Sequence, residues 1–144
     1  MDLTYTQALP EDIQLILNQS RELITAYEDL ASIDLLKVLS WMQRKIETNI
    51  DDYTCVWKAG EKVAFYCLRE EPDAVELDDL YVLPNFRNRG IGTKILSRCV
   101  ANMDRPIYLY VFTGNAGAIR LYRRFGFAKT SQVSATRCIM TKQP

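Results

Sequence analysis

The sequence predicts an α/β protein, an α+β mixed sheet with helices on both faces, in the order β-α-α-β-β-β-α-β-α-β-β. Three observations support this fold class. The hydrophobic period changes from that of helices to that of strands near residue 52, and a strand–loop–helix unit follows at 80–103. The run at 107–112 is apolar on both faces, which predicts a central, buried strand. We expect a single domain spanning 1-144.

The N-terminal half contains one strand, two helices and three further strands. The strand at 3–9 precedes a helix that opens at Pro10-Glu11-Asp12 and whose buried stripe reaches Tyr27. A second helix is predicted from Ser32-Ile33-Asp34 to about Glu47. Period-two patterns then predict strands at 53–58, 62–69 and 74–82, the first two joined by a hairpin turn at 59–61.

The C-terminal half continues with a helix from about residue 91 and the strand at 107–112. A short helix at 116–125 is ended by Gly126. Segments 128–131 and 135–140 are predicted to form a closing hairpin.

Composition excludes several classes of site. The chain has no histidine, which argues against zinc catalysis and against Ser-His or Cys-His triads, so no metal is expected. No apolar run approaches the ~20 residues of a membrane span, and the start lacks a signal-peptide pattern, so a cytoplasmic protein with no membrane partner is expected. The four cysteines form no C-x-x-C pair and are expected to be reduced and buried.

The zero net charge conceals a division between the two halves. Residues 1–82 carry 7 Lys and Arg against 17 Asp and Glu, a net −10, whereas residues 83–144 carry 11 against 1, a net +10. This asymmetry suits a C-terminal half that binds a polyanion and an N-terminal half that attracts a cation. Nucleic acid is not expected, because the basic residues are scattered and the acidic half would repel a phosphate backbone.

The loop that follows the strand at 74–82 predicts an anion site. It places consecutive backbone N–H groups at a helix N-terminus, and Gly90 and Gly92 allow a ligand to approach the main chain closely. The side chains of Arg87, Arg89 and Lys94 add positive charge. Neither the Walker pattern nor the dinucleotide-binding pattern G-x-G-x-x-G fits, since Ile95 stands where the third glycine belongs.

Two motifs remain, Arg87-x-x-Gly90-x-Gly92 and Asn115-x-x-Ala118-x-x-Leu121-Tyr122-x-x-x-Gly126-Phe127. On these the chain resembles the GNAT superfamily of acyl-CoA-dependent N-acetyltransferases. The resemblance covers most of the chain and is strongest at 76–127. It implies a sheet splayed between the fourth and fifth strands, with acetyl-CoA as co-substrate in the opening.

The resemblance also implies which residues meet the cofactor. Loop amides would bind the pyrophosphate, and the main chain at Leu80 and Val82 would pair with the pantetheine arm and supply an N–H to the thioester carbonyl. Tyr122 would be the general acid that protonates the departing thiolate. Two interpretations remain for Arg120, Arg123 and Arg124, which are either 3′-phosphate contacts or solvated charges. Lys94 is either a ligand contact or a surface residue of its helix. The cofactor-binding residues implied are Leu80, Tyr81, Val82, Arg87, Asn88, Arg89, Gly90, Ile91, Gly92, Thr93 and Asn115, the last also a candidate N-cap.

A carboxylate must serve as the base if one exists, because histidine is absent. Glu76 matches the position at which some family members carry a glutamate base, while many relatives have no dedicated residue. Asp78 and Asp79 are the alternatives, and strand alternation predicts Glu76 and Asp78 on one face with Asp79 on the other. All three could instead form an acidic rim that attracts amines.

The resemblance thus implies transfer of an acetyl group to the primary amine of a small, unidentified acceptor by direct attack in a ternary complex. Two alternatives remain open, a non-catalytic acyl-CoA-binding or interaction module and a protein N-terminal or lysine acetyltransferase. Family members often dimerise, so a homodimer is a further expectation.

Overall fold

The computed structural model describes residues 2–144 and confirms the predicted element order. Three short 3₁₀ turns precede α1, α2 and β2, and another follows β4. The helices are α1 (Ile13–Tyr27), α2 (Leu35–Thr48), α3 (Ile91–Val100) and α4 (Ala116–Arg124), and the strands are β1 (Thr4–Gln7), β2 (Tyr53–Lys58), β3 (Glu61–Glu70), β4 (Val75–Val82), β5 (Ile107–Phe112), β6 (Ala128–Gln132) and β7 (Arg137–Lys142).

The seven strands form one sheet in the order β1-β2-β3-β4-β5-β7-β6. Only β4 and β5 run parallel, and they are paired at just two positions, Val75 with Ile107 and Glu76 with Tyr108. Beyond those pairs the strands part, whereas β5 pairs with β7 over all six of its residues. The predicted splay between the fourth and fifth strands is therefore confirmed.

Each face of the sheet is covered by one pair of helices. On one face, Ile16 of α1 and Ile46 of α2 pack with Tyr53 and Phe65, all of them at most 1% exposed. On the other face, α3 and α4 pack over β3, β5 and β7, in a core that includes Ile95, Leu96, Val63, Leu109 and Met140. Full burial of such side chains contributes about 1.5–3 kcal/mol each, so both layers hold the sheet rigid around the splay.

The prediction that β5 is buried on both faces is wrong for one face. Ile107, Leu109 and Val111 are buried beneath α3 and α4, but Tyr110 is 41% exposed. The helices α1 and α2 lie over β2 to β4, which leaves the aromatic face of β5 open. Tyr110 and Phe112 line a cleft, and an apolar sequence pattern cannot distinguish this role from core packing.

A β-bulge interrupts β4 at the splay. Phe65 pairs with Tyr81 and Cys67 with Asp78, so Asp79 and Leu80 together oppose Tyr66 alone. Asp79 takes the left-handed conformation, with φ +51°. The bulge breaks the alternation on which the sequence argument relied, and Asp78 and Asp79 both approach Lys45 of α2. The prediction that they occupy opposite faces is wrong.

Within residues 2–144, no helix is both long and apolar enough to span a bilayer.

Candidate active site

A cleft of about 1000 Å³ opens where β4 and β5 separate. It runs from the N-terminus of α3, past the bulge of β4, to the ends of α1, α2 and β5. Its two halves differ in character, because the N-terminus of α3 and two arginines of α4 line one end while the carboxylates of β4 and several aromatic rings line the other.

The basic end, which we call the donor half, is built on the N-terminus of α3. The first backbone hydrogen bond of this helix joins Lys94 N to Gly90 O at 3.1 Å, so the N–H groups of Ile91, Gly92 and Thr93 have no carbonyl of the same helix to bind. Gly90 takes φ +80° and turns the chain into the helix. Three aligned donors at a positive dipole end suit a phosphate oxygen.

Gly92 allows the helices and β4 to approach closely at this point. A Cβ atom there would lie 3.3 Å from Leu121 Cδ2 and 3.8 Å from Val82 Cγ2. Arg124 reaches the same place from α4, with Nη2 3.4 Å from Thr93 Oγ1, and Arg120 also lines the cleft. The donor half therefore combines free amides with cationic side chains and fits a diphosphate.

Not every residue that was predicted to lie near the cofactor lines the cleft. The exposed Asn88 does, in the left-handed conformation with φ +60°. Arg89 lies outside, its guanidinium 5.8 Å from the centre of the Phe86 ring, and Lys94 and Arg123 are also outside.

The side chain of Arg87 folds back onto β4. Its Nε donates to Val82 O at 3.1 Å and its Nη2 to the Tyr81 hydroxyl at 2.5 Å, and that hydroxyl donates to Glu22 Oε2 at 3.0 Å. The Val82 carbonyl points away from β3 because Leu83 N is the group that bonds Val63 O. By alternation Leu80 and Val82 direct their main-chain groups into the splay, while Tyr81 pairs with Phe65.

Tyr122 of α4 lies beneath the splay with only 8% of its surface exposed. Its ring packs on Phe127, with centroids 5.7 Å apart. No partner hydrogen-bonds its hydroxyl among residues 2–144, and the hydroxyl oxygen is not sealed from solvent. Burial, with contributions from Cys99, Asp78 and Asp79, raises the pKa of Tyr122 well above its usual range, so the phenol holds its proton at neutral pH.

Asn115 caps α4, its Oδ1 accepting from Ala118 N at 3.3 Å. The N-cap prediction is confirmed, and the residue also lines the cleft. One side chain thus fixes the start of the helix that carries Tyr122.

The acidic residues of β4 form a network with two cations. Arg69 Nη2 contacts Glu76 Oε1 at 2.7 Å and Asp78 Oδ2 at 2.8 Å, and Lys45 Nζ contacts the same Asp78 oxygen at 2.5 Å. Burial alone would raise the pKa of Asp78, but Lys45 and Arg69 outweigh it and lower that pKa. Burial would likewise lower the pKa of Lys45, and the two aspartates raise it. Asp78, Asp79 and Lys45 line the cleft, whereas Glu76 does not.

Asp79 is the acid that this network leaves without a cation of its own. Its Oδ2 accepts a 2.5 Å hydrogen bond from the Tyr53 hydroxyl. Burial and the neighbouring charge of Asp78 raise the pKa of Asp79 to about 6, against opposing contributions from Lys45 and Tyr53. A carboxyl group with this pKa, on a bulge at the splay, can accept a proton near neutral pH.

The match to a family model decides which family this is. Residues 18–127 match the model of the acetyltransferase (GNAT) family, and this range contains the loop, the bulge, the splayed strands and Tyr122. The chain belongs to the GNAT family.

Solved structures share the fold of this GNAT chain. The PaiA N-acetyltransferase of Thermoplasma acidophilum, whose crystal structure is a complex with coenzyme A, superposes with a TM-score of 0.75 at 19% identity over 100% of both chains. An acetyltransferase of Thermus thermophilus gives a TM-score of 0.74 at 21% identity, covering 100% of this chain and 98% of that one.

Curated relatives match over shorter segments. An uncharacterised N-acetyltransferase of Methanocaldococcus jannaschii is 34% identical over 68 residues, which is 44% of this chain and 30% of that protein. The spermine/spermidine N(1)-acetyltransferase of Bacillus subtilis (strain 168) is 36% identical over 58 residues, 37% of this chain and 38% of that protein. The matched segments thus span about a third of the length of these relatives.

Sequence reasoning missed most of the far end of the cleft, which we call the acceptor half. Glu28 lines this half, and neither it nor the rings and cations beside it belong to a sequence motif. They come together only when α1, α2, β5 and β7 converge in the fold. The residues that line this half and were not predicted are Tyr27, Trp41, Lys45, Tyr110, Phe112 and Arg137.

No three His, Cys, Asp or Glu side chains within residues 2–144 are grouped so that they could hold a metal ion. All four cysteines are free thiols, three of them buried and Cys99 partly so.

Proposed function

We propose that this chain transfers the acetyl group of acetyl-CoA to the primary amine of a small acceptor. One observation carries the proposal: Tyr122 and Asp79 come from different sides of the sheet to the same splay, at the junction of the donor and acceptor halves. Amide formation from a thioester requires one group that gives a proton to the leaving sulfur and another that takes a proton from the amine. Tyr122 on the donor half suits the first role, and Asp79 on the acceptor half suits the second. The family match and the shared fold of a coenzyme A complex support the same reaction.

Acetyl-CoA supplies the acetyl group as a thioester, already activated toward amines. Its diphosphate would be held by the N–H groups of Ile91, Gly92 and Thr93, and its arm by the main chain of Leu80 and Val82. Arg87 would release the Val82 carbonyl as the arm takes its place. The remaining predicted cofactor residues, Tyr81, Asn88, Arg89, Gly90 and Asn115, would support this loop and the helix beside it.

The proposed steps keep proton and bond balance. Asp79 takes one proton from the acceptor ammonium, directly or through water. The neutral nitrogen then bonds to the thioester carbonyl carbon, and a backbone N–H of β4 within 80–82 stabilises the developing negative oxygen. The carbon–sulfur bond breaks, and Tyr122 donates a hydrogen bond and then a proton to the sulfur. The nitrogen gives up its second proton to solvent, and Tyr122 regains one from solvent, so the net products are the amide, the thiol and the proton on Asp79.

A turnover screen tests this function. Free thiol released from acetyl-CoA is measured with the wild-type protein and a panel of monoamines, polyamines, amino acids and peptides with free N-termini. We expect amine-dependent thiol release together with an equal amount of acetylated amine by mass spectrometry. Binding of acetyl-CoA without turnover on any acceptor would contradict an enzymatic role and favour a binding module, and turnover confined to peptides would contradict a small acceptor.

Gly92→Val is expected to weaken acetyl-CoA binding by about tenfold or more. A Cβ is already 3.3 Å from Leu121 Cδ2, so a branched side chain must push α3 from α4 and misplace the three free amides. Isothermal titration with acetyl-CoA measures the change. The control is Ala101→Val, which places the same valine side chain at the exposed C-cap of α3. If the two variants bind acetyl-CoA with equal affinity, the three amides do not form the diphosphate site.

A further inference from the structure

We propose that the acceptor carries a carboxylate beside its amine, as an α-amino acid does, and that Arg137 binds this carboxylate. This proposal rests on the proposed acetyl transfer and assigns the substrate class of the same cleft. It makes Arg137 a specificity-determining residue, with no part in the chemical step.

Arg137 begins β7 and faces the acceptor half. It pairs with Phe112 of β5, and its guanidinium carbon lies 5.0 Å from the centre of the Tyr110 ring and 5.8 Å from that of Phe112. Its neighbour Cys138 points the other way, into the core under α3 and α4. A guanidinium that lies over aromatic rings, with no protein partner for its N–H groups, can donate two of them to one carboxylate in a bidentate manner.

No protein carboxylate neutralises Arg137 in the described part of the chain, 2–144. Its guanidinium makes no ion pair within 4.0 Å and no side-chain hydrogen bond there. Glu28 also lines the cleft, but its Oε1 accepts from Thr136 Oγ1 at 2.5 Å and it makes no ion pair with Arg137. Arg69, by contrast, holds two carboxylates, so this fold does pair its buried guanidinium groups. A charged donor left open in a cleft indicates that the ligand supplies the anion.

The position of Arg137 distinguishes it from the other arginines of the cleft. Arg120 and Arg124 belong to the donor half on α4, and Arg87 is bonded to Tyr81 and Val82. Arg137 alone among the described arginines stands on the aromatic face of β5 and lines the cleft. Because the diphosphate is proposed to lie at the N-terminus of α3, we assign Arg137 to the acceptor.

The two charged ends of the acceptor half match a zwitterion. Asp79 on β4 suits the ammonium, and the guanidinium stacks over β5, the next strand. Arg137 itself is on β7, but its guanidinium lies against rings of β5, the strand next to β4, and both groups line the same cleft. This suits an amine and a carboxylate on one small molecule. A polyamine would instead bring a second ammonium against Arg137.

Matched acceptor pairs that differ by a single carboxylate test this proposal. The pairs are phenylalanine with 2-phenylethylamine and ornithine with putrescine, assayed by thiol release with the wild-type protein, Arg137→Met, Arg137→Lys and the exposed control Arg44→Met. We expect kcat/KM of the wild type to favour the carboxylate-bearing member by about tenfold or more. Arg137→Met should abolish this preference through KM, Arg137→Lys should retain part of it, and Arg44→Met should retain it fully.

The outcomes separate this proposal from the proposed function. The role assigned to Arg137 is wrong if the wild type has equal kcat/KM for the two members of each pair. It is also wrong if Arg137→Met leaves the ratio of the two kcat/KM values unchanged. In either case the acetyl transfer stands. Titration of phenylalanine into the protein–CoA complex gives a readout free of turnover, and Arg137→Met should weaken binding at least tenfold. If neither turnover nor binding of any carboxylate-bearing amine is found, the assigned substrate class is overturned.

Discussion

Tyr122→Phe is expected to lower kcat by about 10²–10³-fold, in the range of a lost general acid. The variant removes one oxygen atom, and no group among residues 2–144 hydrogen-bonds that hydroxyl, so the free energy of unfolding should change little. The high pKa of Tyr122 keeps the phenol protonated until sulfur develops negative charge. Steady-state kinetics at saturating acceptor measure kcat, and titration with acetyl-CoA should show unchanged affinity.

Tyr108→Phe is the matched control for this variant. Its hydroxyl donates to Glu71 Oε2 at 2.6 Å at the opposite end of β5, where β4 and β5 are still paired. Activity should survive that change. Full kcat in Tyr122→Phe would remove the tyrosine from the chemical step, and an equal loss in both variants would show only that a tyrosine hydroxyl supports the fold.

Asp79→Asn is expected to lower kcat/KM by about 10²–10³-fold and to remove the acidic limb of its pH profile. The wild-type value should rise through pH 6, since the pKa of Asp79 is about 6 and only the ionised carboxylate accepts a proton. The same profile for Glu76→Gln decides between the two candidate bases. Glu76 stays a prediction, and its ion pair with Arg69 outside the cleft makes us expect the limb to persist in that variant.

Stability gives a second readout for Asp79 with a definite sign. Its pKa is raised on folding from 3.8 to about 6. Between these values the unfolded chain is ionised while the folded protein still holds the proton, so this group makes the free energy of unfolding fall as pH rises from about 4 to 6. Above pH 6 Asp79 is ionised in both states, so its destabilising contribution to the free energy of unfolding no longer changes with pH. Asp79→Asn should flatten this part of the curve, measured by urea unfolding at several pH values, and a steeper fall in the variant would contradict the assigned shift.

Local patterns were sufficient to predict most of the fold. The strand at 53–58 and the strand at 107–112 have the predicted bounds, and Asp34 caps α2 as the start signal indicated. Helix and strand periods are properties of a few neighbouring residues, and turn residues such as Gly60, with φ +80°, carry their signal locally. The errors of one or two residues at strand ends fall where pairing partners decide the boundary.

The geometry of the donor half was predictable because the proposed diphosphate site consists of backbone N–H groups in one continuous segment. A glycine-bearing turn into a helix is a contiguous pattern, and Asn115 and Tyr122 share one short helix. Their roles in binding and catalysis remain predictions, which the variants above test.

The acceptor half could not be predicted for two physical reasons. The bulge at Asp79 turns a carboxylate that alternation would place elsewhere, and a bulge depends on the pairing of β4 with β3. Arg137 reaches the cleft because β7 lies beside β5. This pairing brings Arg137 next to Phe112, which is 25 residues earlier in the chain. In sequence, Tyr110 and Phe112 are indistinguishable from core residues.

A crystal structure of the protein with coenzyme A tests the central claim most directly. We predict the diphosphate at the N–H groups of Ile91 to Thr93, the arm along β4 in place of the Arg87 contact to Val82, and the sulfur within hydrogen-bonding distance of the Tyr122 hydroxyl. Coenzyme A bound outside the splay, or with its sulfur on the far side of β4 from Tyr122, would contradict the account.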